Sequence, residues 1–226
     1  MRITQAELLT LRMPLKAPFV TSFGREDERF PLLVRVFAEE DGRQASGWGE
    51  CVAMREPMYS PEYLDSAREV VARFLLPLLA AAQRESGGVE PEQVRGLFPH
   101  VVGHQMAKAA VEMAVLDARL RLDGRSFAQY LGAARDTVPS GVSVGIQPSI
   151  GQLVEVVGRY LEQGYARVKI KIAPGWVVEP VAAIREEFGD IPLQVDANSA
   201  FTLDDAPLLA PLDDFGLLLI EQPLGE

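Results

Sequence analysis

The sequence predicts an α+β module followed by strand–helix repeats of a parallel sheet, the pattern of a TIM-type (β/α) barrel. Three observations carry this. Residues 1 to about 55 run in short polar–apolar alternation, residues 61–123 change to helical spacing, and from Val138 onward a strand recurs every 25 to 27 residues with a helix between. Alternating strands followed by helices make an α+β unit, whereas strand–helix repetition makes a parallel sheet. The expected division is residues 1–130 and residues 131–226.

In the first part, ITQAELLTLRM, PLLVRVFAEE and RQASGWGECV read as antiparallel strands, with Asp41-Gly42 turning between the last two. Between the first two lies PLKAPFVTSFGREDERF, Pro14 to Phe30, too long for a tight turn and rich in phenylalanine. Two readings of it stand: a lid or binding loop, or a surface excursion packed on the core. Pro61 opens a helix, Pro91 a short one, and a longer helix runs from about Gly103 to Asp123 with Met106, Ala109, Ala110, Met113, Leu116 and Leu120 on its apolar face. Asp117 falls near that face, where pairing with a backbone group or an arginine is the expected explanation.

In the second part, GVSVGI is a short buried strand, and Ser149 to Gln152 is a capping box opening a helix that Gly164 closes. ARVKIKI, IPLQVDAN and FGLLLIEQP are the following strands, with a helix from about Trp176 to Phe188. The segment opened by Thr202 is a weak helix, because Pro207 and Pro211 each remove a backbone donor.

Composition narrows the function. The chain has 22 basic and 32 acidic residues, a net charge of −10, which argues against nucleic acid or anionic lipid as partner. A small anionic substrate is compatible, since local lysines and a metal can reverse the field in a pocket. A single cysteine, Cys51, excludes a disulfide framework and a thiolate metal cluster. The first residues lack a long apolar run, and the most apolar stretch, Phe74 to Ala82, is short for a membrane span and holds Pro77. A cytoplasmic globular protein is expected.

The chemistry-bearing residues gather at strand ends. Side chains alternate along a strand, so Lys169 and Lys171 share one face while Val168, Ile170 and Ile172 share the other. Two lysines on one face of a parallel strand are unusual, because such strands are covered on both sides. The next two strands end in Asp196 and Glu221, each after an apolar run. Carboxyl ends of barrel strands host the chemistry. A structural ion-pair network is the competing explanation. As a site, paired carboxylates suit Mg²⁺ (or another divalent ion such as Mn²⁺), which uses few carboxylates plus water and substrate. Such a metal stabilises negative charge as an α-proton leaves. A lysine base must be neutral, and a second lysine and a divalent cation nearby both lower its pKa.

At EQGYARVKIKIAPGW, VDANSAFTLDDA and IEQPL, the sequence resembles the enolase superfamily, muconate-lactonizing subgroup. Within it the likeness is to o-succinylbenzoate synthases and N-acylamino acid racemases, supported by GVSVGIQ, RMPLKAPFVTSFG and MREPMY. The resemblance implies that Lys171 abstracts the proton with Lys169 as electrostatic partner, that Asp196 and Glu221 are metal ligands, and that Asn198 supports them. It makes the first part a capping domain whose Phe19, Phe23 and Tyr59 close over a small carboxylate substrate, with Ser143 lining the pocket. It also implies a homo-oligomer for the family's full-length proteins. The implied reactions are dehydration to o-succinylbenzoate in menaquinone biosynthesis or racemisation of an N-acylamino acid. Dipeptide epimerase or muconate cycloisomerase activity is the alternative within the subgroup. A non-catalytic half-barrel that dimerises or complements a second half is the alternative outside it.

The family's pattern has eight units, with a third acidic ligand and a second lysine beyond the fourth strand; the 226 residues reach the fourth, so the likeness implies an incomplete barrel of about four of eight units. That departure predicts an unpaired edge on the LLLI strand and lysines in water.

Overall fold

The computed structural model describes residues 1–225, and Glu226, the last residue of the expected second part, lies outside the described residues. The first five strands are β1 (Arg2–Thr10), β2 (Met13–Thr21), β3 (Gly24–Arg29), β4 (Leu32–Glu40) and β5 (Arg43–Cys51). The chain divides into two compact units: Met1–Pro14 with Glu28–Asp136, and Leu15–Asp27 with Thr137–Glu226. The segment Leu15–Asp27 thus belongs with the β/α repeats, not with the α+β part that surrounds it in sequence.

In the first unit β1, β4 and β5 form an antiparallel sheet in the order β1-β4-β5. Asp41 and Gly42 join β4 to β5 with φ of 50° and 77°, the two positive values that a tight hairpin of this hand requires. Alternate residues of β4, Leu32, Val34, Val36 and Ala38, are buried. The helices are α1 (Leu64–Val70), α2 (Leu76–Ser86), α3 (Pro91–Val94), α4 (Gln105–Asp123) and α5 (Phe127–Leu131). A wide π-turn over Val71–Leu75 joins α1 to α2. It lies where Pro77 lacks the N–H that a regular helix would donate to Arg73.

The buried face of α4 differs from the expected one. Ala107, Ala110, Val111, Ala114, Val115 and Ala118 are buried, while Met113 is exposed. The reason is the sheet beneath. A Cβ on Gly49 would stand 1.8 Å from the Ala110 carbonyl oxygen, and one on Gly47 would stand 2.1 Å from that of Ala114. Backbones this close admit only small residues between them, so alanine, not methionine, takes the contact. Asp117 behaves as expected, accepting the Trp48 N–H at 2.9 Å and pairing with Arg121 at 3.0 Å. The start of α4 is held by Glu62, a buried carboxylate that accepts from the N–H groups of Met106 (3.0 Å) and Ala107 (2.8 Å).

The second unit holds a parallel sheet in the order β6-β7-β8-β9, formed by β6 (Gly141–Val144), β7 (Arg167–Lys171), β8 (Leu193–Asp196) and β9 (Ile220–Glu221). Its helices are α6 (Ile150–Glu162), α7 (Val178–Phe188) and α8 (Ala206–Leu209). Ser149 caps α6 by accepting the Gln152 N–H at 3.2 Å. The segment around Pro207 and Pro211 is broken into a single α-turn between two 3₁₀ pieces, as missing donors require. Strand β9 is shorter than FGLLLIEQP suggested, and Leu218, Leu219 and Ile220 are exposed. Strand β6 is only partly buried, with Ser143 exposed.

The segment Pro14–Phe30 is not a long loop. It folds as the β2–β3 hairpin, turning at Ser22-Phe23. Its prolines are accommodated because the hairpin is a separate two-stranded sheet, where Pro14 and Pro18 are exposed and interrupt no larger ladder.

Two outcomes are expected. Gly49→Ala should destabilise the first unit by about 3 kcal/mol or more in urea unfolding, whereas Gly151→Ala, which meets nothing within 4 Å, should cost nothing measurable. The second concerns Glu40, which hydrogen-bonds Arg119 at 2.9 Å and lies 3.1 Å from the Met1 ammonium. Arg119 and then that ammonium hold its carboxyl down, from 4.5 to about 2. A depressed carboxyl stabilises the fold above its unfolded value, and that contribution is lost as pH falls toward 2. Urea midpoints measured from pH 6 to pH 2 should therefore fall less steeply in Glu40→Gln than in the parent.

Candidate active site at the strand ends

Parallel pairing places Lys171, Asp196 and Glu221 in one row across β7, β8 and β9, with Ser143, Lys169 and Gln194 forming a row two residues earlier on the same face. The strand register therefore assembles the charges. The Lys171 Nζ donates to Asp196 Oδ2 at 2.6 Å and to Asn198 Oδ1 at 2.7 Å. The Lys169 Nζ lies 2.9 Å from the same Asp196 oxygen and 2.9 Å from Glu221 Oε2. Asp196 Oδ1 accepts the Asn198 N–H at 2.9 Å. Asn198 and Ser199 both have positive φ, 46° and 63°, so the chain turns sharply after β8 and points the Asn198 amide back at Lys171.

Two of these groups are withdrawn from water, while the Glu221 side chain stays 41% exposed. Asp196 is 1% exposed and Lys171 6%, which corrects the expectation of solvated lysines. Their ammonium groups turn onto carboxylates, and the β2–β3 hairpin places the Phe19 ring 5.8 Å from the Lys171 Nζ. Burial alone would raise the Asp196 pKa, but hydrogen bonds from Lys171, Lys169 and the Asn198 N–H outweigh it and hold the group ionised. For Lys169, burial lowers the pKa, and Glu221 and Asp196 more than reverse that, leaving it raised.

The hairpin is stitched to the strand ends through the Ser22 hydroxyl and the Val20 carbonyl. Ser22 Oγ donates to the Ala197 carbonyl at 2.9 Å, and the Ile146 N–H donates to the Val20 carbonyl at 2.9 Å. Gly145 makes the second possible, since a Cβ there would stand 2.9 Å from the Val20 oxygen. Sequence reasoning missed both Ser22 and Gly145. The glycine after a strand was a usable signal, but the hydroxyl at a hairpin turn carried none. Phe23 sits half-buried at the turn, and Ser143 is exposed in the row of Lys169. Tyr59 belongs to the first unit, between β5 and α1, and is 46% exposed.

Among the described residues no group of three or more His, Cys, Asp or Glu converges as a metal cluster. The donor chemistry nevertheless suits a hard divalent cation. Two carboxylates are register partners, and one ammonium already spans both.

Residues 152–226 match the family described as enolase C-terminal domain-like. The N-succinylamino acid racemase of Amycolatopsis sp is 55% identical over 227 aligned positions, covering 100% of this chain and 60% of the relative. The o-succinylbenzoate synthase of Enterococcus faecalis is 44% identical, covering 100% of this chain and 59% of the relative. The chain is thus similar along its whole length to enolase-superfamily proteins and carries an enolase C-terminal domain-like segment over residues 152–226. A crystal structure of a superfamily member from Listeria innocua superimposes with a TM-score of 0.89 at 40% identity, over 100% of this chain and 59% of that one. The chain spans about 60% of the length of the curated relatives it matches. Among its described residues no helix is long and apolar enough to cross a membrane.

Hydrogen exchange tests the docking of the hairpin. Gly145→Ala should expose the Ile146 amide and speed its exchange at least tenfold, and Ser22→Ala should speed exchange across the hairpin by a smaller factor. Unchanged exchange in both would show that neither contact holds the hairpin.

Proposed function

We propose that this chain carries the proton-abstracting and metal-holding part of an o-succinylbenzoate synthase, with or without N-succinylamino acid racemase activity. The single observation that carries the reading is the row Lys171–Asp196–Glu221 with Lys169 beside it. It gathers two potential bases and two hard-oxygen ligands at the carboxyl ends of adjacent parallel strands. The names of the relatives support the choice within the superfamily.

In this reading the second unit is four of eight β/α units of a barrel, and the first is a capping domain. Asp196 and Glu221 would hold Mg²⁺ or a similar divalent ion, which would supply stabilisation of the negative charge that develops as the α-proton leaves. Enolase-superfamily sites combine such ions with a Lys or His base. Lys171 Nζ takes the proton of a small carboxylate substrate, oriented by the Asn198 amide it already touches. Lys169 balances Asp196 and Glu221. Phe19 excludes water above Lys171, while Phe23 and Ser143 contact substrate. Dehydration needs one base and a leaving hydroxide. Racemisation needs a second base on the opposite substrate face, which must come from residues other than Lys171.

A chimaera tests this. The 226 residues continued by the remaining two-fifths of the Amycolatopsis relative should form o-succinylbenzoate in Mg²⁺. Lys171→Ala in that chimaera should lower kcat by about 10³-fold or more. A chimaera that folds, as judged by circular dichroism, but neither dehydrates nor racemises would overturn the assignment. The 226-residue chain alone is expected to give no turnover, and measurable turnover by it would refute that expectation.

A further inference from the structure

The contacts of Lys169 differ from those of Lys171 in a way that bears on how a divalent ion would enter. Lys171 has a neutral partner, the Asn198 amide, besides Asp196. Among the described residues, the bonded partners of Lys169 are two carboxylates, Asp196 and Glu221, each at 2.9 Å. An ammonium that spans both carboxylates takes the position a bridging cation would take. On Asp196 the Oδ1 atom is engaged by a backbone N–H, which is fixed by the turn, while Oδ2 is engaged by side chains, which can move.

We propose that Lys169 is a resident counter-cation: it keeps Asp196 and Glu221 paired without metal and competes with a divalent ion for the same oxygens. This rests on the reading of Asp196 and Glu221 as metal ligands. The physical need is clear. A carboxylate 1% exposed is costly without a partner, and two carboxylates at adjacent register positions repel. A flexible ammonium removes both costs and can swing aside, whereas a planar, forked guanidinium would grip the pair more firmly. Lys171, anchored by Asn198, stays in place during the exchange. Lys169 is in this sense a positioning residue for the metal ligands.

The test is Mn²⁺ binding to the 226-residue protein, read as free Mn²⁺ by electron paramagnetic resonance, for the parent, Lys169→Met, Lys169→Arg and Asp196→Asn. Lys169→Met should bind roughly fivefold more tightly than the parent and Lys169→Arg roughly fivefold more weakly. The arginine variant keeps the charge, so it remains informative if the methionine variant does not fold. Binding by Lys169→Arg equal to the parent would mean that charge alone matters, and would overturn the proposal. Weaker binding by Lys169→Met would overturn it too, by showing that the lysine organises the ligands and does not compete. If the parent binds no Mn²⁺, or Asp196→Asn binds as well as the parent, the metal reading itself fails and the proposal fails with it.

Discussion

A carboxylate almost completely removed from water, bonded through one oxygen to two ammonium groups, sets the conditions for the second unit. Asp196 would be strongly destabilising unpaired; losing a partner from a buried pair costs on the order of 3–5 kcal/mol. Its pairing needs β7 and β8 in the register that aligns Lys171 with it, and β9 in the register that brings Glu221 alongside. A one-residue slip would turn the lysines onto the opposite face, where Val168 and Ile170 are buried. Charge pairing and apolar burial on the two faces of β7 therefore demand the same alignment.

The same pairing prepares the site chemically. Both lysines are held within bonding distance of oxygen, and the Asn198 amide is aimed by a turn with two successive left-handed residues. Such backbone is uncommon for residues other than glycine and persists where surrounding contacts over-determine it. Here those contacts are the Asn198 N–H on Asp196 and the Ser199 N–H on the Gln222 carbonyl at 2.7 Å.

Close backbone approach is the second constraint, and it acts in each unit. Gly47 and Gly49 let α4 settle onto β5 in the first, and Gly145 lets the hairpin reach β6 in the second. In both places the missing side chain matters more than conformational freedom, since none of these glycines has a positive φ. The effect on α4 reaches its whole buried face. Alanines meet the sheet because nothing larger fits, and Met113 is left outside.

The candidate site was legible to the extent that it obeys strand periodicity. The lysine pair, the acidic strand ends and the order of the four parallel strands follow from alternation and from a regular repeat, which are local properties. The β2–β3 hairpin was misread because its turn, Ser22-Phe23, lacks the glycine and asparagine signals of tight turns, while prolines and a long span suggested a loop. The burial of Lys171 was also misread, since exposure depends on what lies above a strand end.

Taken alone, the chain's order of residues determined which side chains share a strand face, that helices begin at Pro91 and after Ser149 (though not at Pro61, since α1 starts at Leu64), and that Asp196 and Glu221 end successive strands. Tertiary structure decided the rest: which unit the hairpin joins, which face of α4 is buried, how Glu62 caps it from a distance, and how two lysines converge on a single oxygen. The division has a physical cause. Periodicity and capping act within a few residues, whereas burial, close approach and ion pairing depend on groups tens of residues away, as between Lys169 and Glu221.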